Sequence, residues 1–475
     1  MNLVDSAGGG NRLARNMGDA YDVIVVGAGL AGYCAALEAA RLGASVALLD
    51  REPQTGGATV LSGGSFAFAG TALQKSLGYD DSPALLFDDL MRVGNHKNDE
   101  ALVRLYADQQ LDAYEWLAAL GATFDKVYIA SGQSVPRGHS RSPREVLDIV
   151  IDHATRAGVQ TWLSTRVTRL LRPDAEGAVT GVRIATPEGE RDIAARKGVV
   201  LATGGFSRND ALLELFAPAQ ASAQRMGSDG NLGDGLIMAW KLGAAFRDMG
   251  YIKGTFGSHV SAGPRDHFLS FGMYAGGIAV NLNAQRFTDE SKSYKLIGDA
   301  CLKQPEARAF QIYDQPVFER QRPGIPSMDF GQYLEAGRII RADTLEALAR
   351  KVGLDPSRLQ RTVDEYNAGA ACQQDPLFGR THLCNGFGPL AQIRQAPFYA
   401  YPCTTVVLAT YCGLTVDVCM RVQDVFGATI PGLYAAGGVM GGFHGEAYMT
   451  GTANGKATIF GRVAGRDAAA RGNAV

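Results

Sequence analysis

The stretch from Tyr21 to Asp50 is built of apolar runs broken by glycines. Asp22–Val26 opens a short β-branched run, as in a strand buried on both faces. Ala31–Leu42 is rich in Ala and Leu and predicts a helix, and Ser45–Leu49 is a second β run. Ser82–Leu120 reads as largely helical. From Asp99-Glu100, residues Leu102, Val103, Leu105, Tyr106, Leu111, Trp116 and Leu117 fall at helical spacing until Gly121. Arg144–Arg156 predicts an amphipathic helix ended by Gly158. Residues 160–200 alternate as short strands, with turns at Gly177, Gly181 and Pro187–Gly189, and Gly198–Phe206 is a buried strand opening into a glycine turn. From 252 to 400 the rhythm changes. Short β runs such as Gly277–Asn281 mix with helices such as Thr344–Val352 and Pro356–Ala368. Ile430–Gly438 then restores a strand and a glycine turn, followed by a small-residue helix from about Asn454 to Ala470.

Glycines decide what the first unit does. Gly27, Gly29 and Gly32 stand as G-x-G-x-x-G between the first strand and its helix. The first permits a tight turn, the second lets the backbone approach a pyrophosphate, and the third lets helix pack on strand. The helix N-terminus then faces the phosphates. Asp50, ending the second strand, is placed to accept a ribose hydroxyl. A chance glycine turn does not supply strand, glycines, helix, second strand and acid together, so this is a dinucleotide unit. Leu30 and Ala31 lie inside the motif and Arg51 follows the acid. Gly56, Gly57, Ala58, Thr59, Ser62, Gly63 and Gly64 form a glycine–hydroxyl run suited to a second stretch of a long cofactor. Further candidate cofactor residues are Val167, Thr203, Gly204, Asp234, Gly437 and Gly438. The Gly230–Gly235 segment follows no strand and is no second fingerprint, which argues against a built-in nicotinamide domain. The predicted architecture is α/β: a Rossmann-like domain of residues 21–251 plus 401–475, an inserted α+β domain at 252–400, and a disordered tail at 1–20.

Composition narrows the classes. The chain has 475 residues and a net charge of −2 with both signs interspersed, which favours neither nucleic acid nor an anionic membrane as partner. No apolar run reaches the roughly 18–20 residues of a membrane span, and residues 1–20 lack a secretory apolar core. The cysteines at 34, 301, 372, 384, 403, 412 and 419 contain no C-x-x-C. That excludes a dithiol reductase pair and predicts buried thiols in a reducing, cytoplasmic setting with no metal site. Pro136–Arg141 is a polar loop that either lines an active site or is solvated.

Across roughly residues 21–470 the chain resembles the flavoprotein subunits of the succinate dehydrogenase/fumarate reductase family. The carrying motifs are GAGLAG (27–32), GG (56–57), ATGGF (202–206), GDG (233–235), RFTDE (286–290), TYCGLTVD (410–417) and IPGLYAAGGVMGG (430–442). The resemblance implies FAD on the Rossmann-like domain, a capping insertion, and hydride transfer at flavin N5 that makes or reduces a C=C bond. It also implies non-covalent FAD, since no family histidine follows Gly57.

The departures from that pattern matter most. Where fumarate reductases carry a histidine before T-x-G-G, this chain has Ala409. Four residues after His444, where they carry a carboxylate-binding arginine, it has Tyr448. Four residues after Glu290, where they carry the proton-donating arginine, it has Tyr294. A dicarboxylate loses its gripping groups there. The two tyrosines resemble the 3-ketosteroid Δ1-dehydrogenases and related cyclic-ketone dehydrogenases. In those enzymes a cap tyrosine takes the α proton, and a second tyrosine with a backbone N–H in a glycine-rich turn holds the carbonyl oxygen. Tricarballylate dehydrogenase-like proteins share a similar tail. By this resemblance Tyr294 is the base, and Tyr448, Gly451 and Thr452 form the carbonyl-holding turn. Lys292, Lys295 or a helix end would lower the Tyr294 pKa, and His259 and His267 are proton-relay candidates. His444 has a structural reading, and the family's cofactor-binding acid is Gly438 here. The expected function is FAD-dependent α,β desaturation of a ketone or 3-ketosteroid, with an external electron acceptor. The alternatives are the reverse enone or enoate reduction and, from another class, a non-catalytic redox sensor.

Overall fold

The structure is a computed structural model and describes residues 17–266, 268–325, 327–384 and 386–472. They divide into two compact units. Unit 1 holds the described residues of Met1–Leu212, Gly227–Tyr251 and Ala409–Val475; unit 2 holds those of Leu213–Met226 and Ile252–Leu408. The second unit therefore takes in a segment before residue 252 and runs beyond residue 400.

The elements of unit 1 that position the site are β1 (Ala20–Val26), α1 (Leu30–Arg41), β2 (Val46–Leu49), β3 (Ser65–Ala67), β4 (Lys126–Tyr128), β5 (Gly138–Ser140), β6 (Gln160–Trp162), β7 (Val167–Leu171), β8 (Gly181–Thr186), β9 (Gly189–Leu201), β10 (Thr429–Ala435) and α2 (Thr452–Ala470). The main sheet runs Arg421–Gln423, β10, β9, β1, β2, β6, with β7 and β8 attached to β9. β1 is parallel to β2 and β9, and β9 is parallel to β10. Val23, Ile24 and Val25 are wholly buried, which explains the unbroken apolar run of β1. α1 packs on α2 at very short range. A Cβ on Gly461 or Gly465 would overlap the carbonyl oxygens of Ala31 or Ala35, so the C-terminal helix is built of small residues.

Four expectations need correction. Ala20 already belongs to β1, and Asp19 pairs with Arg191 at 2.5 Å, so the ordered chain begins before Tyr21; residues 1–16 of the expected tail lie outside the described residues. Gly181 opens β8 instead of making a turn. β9 is longer than the Gly198 start: its first half pairs antiparallel with β8, and only Gly198–Leu201 enters the parallel sheet. The alternating burial of the first half hid that continuity. Finally, the polar loop at 136–141 is neither solvated nor a loop throughout. It contains β5, and Arg137 and His139 are fully buried. Arg137 reaches Asp81 (2.7 Å) and Asp89, which satisfies its charge inside the protein.

Unit 2 is built on the strand Phe398–Val407. It pairs antiparallel with Arg308–Asp314, Thr255–His259 and Ile340–Ala342, and parallel with Gln224–Arg225. Leu348, Leu359 and Val363, from the helices Leu345–Val352 and Pro356–Ala371, pack with Ile278, Ile312 and Ala400 in one core. Among the described residues no helix is long and apolar enough to cross a membrane, and no cluster of metal-ligating side chains occurs.

Candidate cofactor cradle and active-site residues

The β1–α1 turn is tight for the reasons the sequence implies. Gly27 has φ +119°, and a Cβ there would overlap the Ala202 carbonyl oxygen; a Cβ on Gly32 would overlap the Gly27 carbonyl oxygen. Gly29 caps α1 with no side-chain hydrogen bond, so a positive helix end faces the turn. The second glycine run folds back onto it. The Gly56 N–H donates to Ala28 O (3.0 Å) and the Leu30 N–H to Thr59 Oγ1 (3.1 Å). Asn454 of α2 donates to Ser62 Oγ (3.2 Å) and Ser65 O (3.0 Å), which anchors the end of that run near Gly63 and Gly64. Gly437 and Gly438 close the other side. A Cβ on Gly437 would lie 2.8 Å from the Ala31 Cβ, and one on Gly438 3.3 Å from the Gly204 Cα. Gly57 and Ala58 lie in the turn between Gly56 and Thr59.

Asp50 is engaged differently from the expected ribose contact alone. Its carboxylate accepts the Ala28 N–H (2.6 Å) and the Glu52 N–H (2.8 Å), so it braces the β1–α1 turn itself. Burial raises its pKa above the usual carboxylate range, against the two amide bonds. Arg51 and Asp234 pair with each other at 2.8 Å. A Cβ on Gly235 would overlap Thr203 Oγ1, so the Gly233–Gly235 turn sits against the Thr203–Gly204 turn. Val167 opens β7 and is buried. Thr203 Oγ1 is buried without a hydrogen-bond partner. A helix end whose cap, Gly29, offers no side chain, closely opposed glycines and this unpartnered hydroxyl fit a bound dinucleotide.

The 443–452 segment is clamped from two sides. Asn98 Nδ2 donates to Phe443 O (2.8 Å), and Gln133 Nε2 to Thr450 O (3.0 Å). Within it, the Gly451 N–H donates to the Tyr448 hydroxyl (3.2 Å), while the Thr452 N–H and Oγ1 both donate to Met449 O (3.3 and 2.7 Å). Both amides of the expected carbonyl-holding turn are therefore bonded inside the turn. The Tyr448 oxygen sits at the N-terminus of α2, and its phenol proton is the group left to donate. Desolvation pushes the Tyr448 pKa up to about 12, against amide bonds from Ala453 and Gly451. Two residues that the sequence reading did not assign, or left as structural, surround it. Tyr411 stacks on Tyr448 (4.6 Å, 20°), and His444 meets both rings edge-on (5.0 and 5.3 Å). Tyr411 has φ +55°, a conformation that costs a non-glycine residue about 1–3 kcal/mol. Its sequence signal is its place in the TYCGLTVD motif (410–417).

Tyr294 belongs to unit 2. It opens the helix Tyr294–Leu302, is buried, and stacks flat on Phe271 (5.1 Å, 6°). Glu290, four residues earlier, is the hub of a buried ionic network. It accepts two bonds from Arg286 (2.9 and 2.6 Å) and the Ala279 N–H (3.1 Å), and Arg380 approaches at 3.4 Å. Asp375 takes the other side of Arg286 (3.0 and 2.8 Å). R-F-x-x-E is thus the scaffold that fixes where Tyr294 begins its helix. Lys295 is buried and donates to Lys253 O (3.0 Å) and Thr255 Oγ1 (2.8 Å), with its nitrogen 5.8 Å from the Tyr294 ring centroid. Burial lowers its pKa to about 7. The Lys292 carbonyl accepts the Tyr274 hydroxyl (3.0 Å). His259 packs edge-on against Tyr401 (5.3 Å) and meets Ser261 Oγ through Nδ1 (2.9 Å). His267 lies outside the described residues.

Comparison with known proteins decides the family. A profile described as FAD binding domain matches residues 22–453. The chain belongs to this FAD-binding flavoprotein family. It is 32% identical over 464 residues to a probable fumarate reductase, Ifc3, of Shewanella frigidimarina, covering 96% of this chain and 76% of that protein. The open conformation of a flavocytochrome c3 fumarate reductase superposes with TM-score 0.81 at 30% identity, over 96% of this chain and 79% of the other. A 3-ketosteroid-Δ4-(5α)-dehydrogenase from Rhodococcus jostii, in complex with 4-androstene-3,17-dione, superposes with TM-score 0.76 at 28% identity, over 97% and 99%. The chain is an FAD-dependent oxidoreductase acting on CH–CH groups.

Proposed function

We propose that the protein is a dehydrogenase introducing an α,β double bond into a cyclic ketone or 3-ketosteroid. The observation that carries this reading is the Tyr448 phenol, set at the start of α2 between Tyr411 and His444, with Ala409 where a carboxylate-binding histidine would stand. Bound FAD, held non-covalently by the Gly27–Gly32, Gly56–Gly64, Thr203–Gly204 and Gly437–Gly438 segments, would supply the hydride acceptor for the β carbon. Tyr294 removes the α proton as general base. Tyr448, a phenol protonated at neutral pH whose pKa burial pushes further up to about 12, donates to the carbonyl oxygen as negative charge builds there. Gly451 and Thr452 serve this step through the turn: the Gly451 amide holds the Tyr448 oxygen and Thr452 holds the turn. The electron acceptor is external.

The likeness to fumarate reductases supports a second reading, the same chemistry in reverse on an enone or enoate. An anaerobic screen separates the two. Saturated cyclic ketones are mixed with oxidised protein, and enones and enoates with reduced protein, while flavin absorbance is followed. Bleaching by a ketone supports the first reading. Reoxidation by enoates with no response to any ketone supports the second.

A further inference from the structure

We infer that Tyr411 is a positioning residue for Tyr448. The inference rests on the donor role of Tyr448 proposed above, and it begins from the backbone. Tyr411 takes a left-handed conformation, φ +55°, that glycine or asparagine adopts far more readily. A residue kept only to fill volume gains nothing from that conformation. The turn around it is pinned on both flanks. A Cβ on Gly205 would overlap Thr410 Oγ1, and one on Gly413 would overlap the Val439 carbonyl oxygen. Leu414 then bridges to Met440. The strained backbone is thus held by its neighbours, and what it delivers is a ring laid on the face of Tyr448.

The stacking fixes what the hydrogen bond leaves open. The Gly451 amide sets the position of the Tyr448 oxygen but not the plane of its ring. Tyr411 covers one ring face at 4.6 Å and 20°, and His444 meets the ring from the side at 5.3 Å. Together these contacts hold the phenol ring in one orientation. Tyr411 and Tyr448 are both half-buried.

The test uses the FAD-loaded protein, reduced with dithionite and mixed anaerobically with 2-cyclohexenone. Tyr411→Phe keeps the ring and is expected to react within about threefold of the parent, the effect of a change that leaves geometry alone. Tyr411→Leu removes the stack and should lower the limiting rate about 10- to 100-fold, the scale of a misplaced group. The half-saturating concentration and the flavin content should stay unchanged. In the Tyr448→Phe background, Tyr411→Leu should add nothing, because the group it positions is gone. The crystal structure of Tyr411→Leu gives a readout that needs no substrate. There the plane of the Tyr448 ring is expected to turn while its oxygen stays on the Gly451 amide. The inference is overturned if the ring plane is unchanged, if Tyr411→Phe is as slow as Tyr411→Leu, or if the two losses multiply in the double variant. A parent-like rate in Tyr448→Phe instead overturns the donor reading beneath it.

Discussion

Tyr294 and Tyr448 carry the reaction as proposed, and each has its own expected signature. Tyr294→Phe should keep FAD and lower ketone turnover by roughly 10²–10⁴, the usual worth of a general acid–base group. Stopped-flow reduction of the flavin measures it directly, and unchanged turnover would remove Tyr294 from the mechanism. His139 makes a separate prediction about stability. Its imidazole is buried between Thr71 Oγ1 (2.8 Å) and Arg137 O (2.9 Å), and burial lowers its pKa from 6.5 to about 4. The unfolded chain therefore takes up a proton first as pH falls. The stabilisation is fully present above 6.5 and is lost as pH falls from there toward about 4. Near pH 5 the loss should be about 2 kcal/mol. His259, whose pKa is also lowered to about 4, adds a loss of the same sign. Denaturant midpoints near pH 7 and pH 5 should show the drop, and His139→Gln should reduce it. An identical drop in the variant would refute the assignment. His139 also shows why such residues resist reading from sequence. The Arg137 partners, Asp81 and Asp89, lie 56 and 48 residues away, so a buried strand and a solvated loop look alike locally.

At the level of elements, the β1–α1–β2 unit was legible because each of its constraints is local. A β-branched run, three glycines at fixed spacing, a small-residue helix and an acid lie within one stretch of chain. Its most exposed point to mutation is Gly32, where a Cβ would overlap the Gly27 carbonyl oxygen. Gly32→Ala should yield folded protein without flavin, seen as absent visible absorbance beside an unchanged circular dichroism spectrum. Normal flavin content would contradict the close approach. The 448–452 turn was legible only in part. By resemblance, a turn less glycine-rich than the family's is expected to hold a carbonyl, but nothing local shows that the Gly451 and Thr452 amides bond within it. Hydrogen-bond direction in such a turn depends on φ at Gly451 (+93°) and on the clamp from Gln133, neither of which is written locally. The motif R-F-x-x-E was found, yet its meaning emerged only with Asp375 and Arg380, which share its buried charges from far along the chain. Glu290→Ala leaves Arg286 and Arg380 undercompensated and should cost about 3–5 kcal/mol, read from chemical denaturation. A loss below about 1 kcal/mol would mean the network is dispensable.

For the whole molecule, the sequence carries a single G-x-G-x-x-G that follows a strand. With one dinucleotide fold among the described residues, NADH and NADPH are expected to reduce the flavin poorly, and rapid stoichiometric bleaching by either would show a second nucleotide site. On the function proposed above, this flavoprotein acts on a neutral carbonyl substrate, with Ala409, Tyr448 and Tyr294 where a histidine and two arginines would serve a dicarboxylate. The most direct test of that function compares 2-cyclohexenone with fumarate as oxidants of the reduced protein, and cyclohexanone with succinate as reductants of the oxidised protein, all anaerobically. The enone is expected to reoxidise and the ketone to bleach the flavin, while fumarate and succinate act far more slowly. Faster reoxidation by fumarate than by the enone would contradict it.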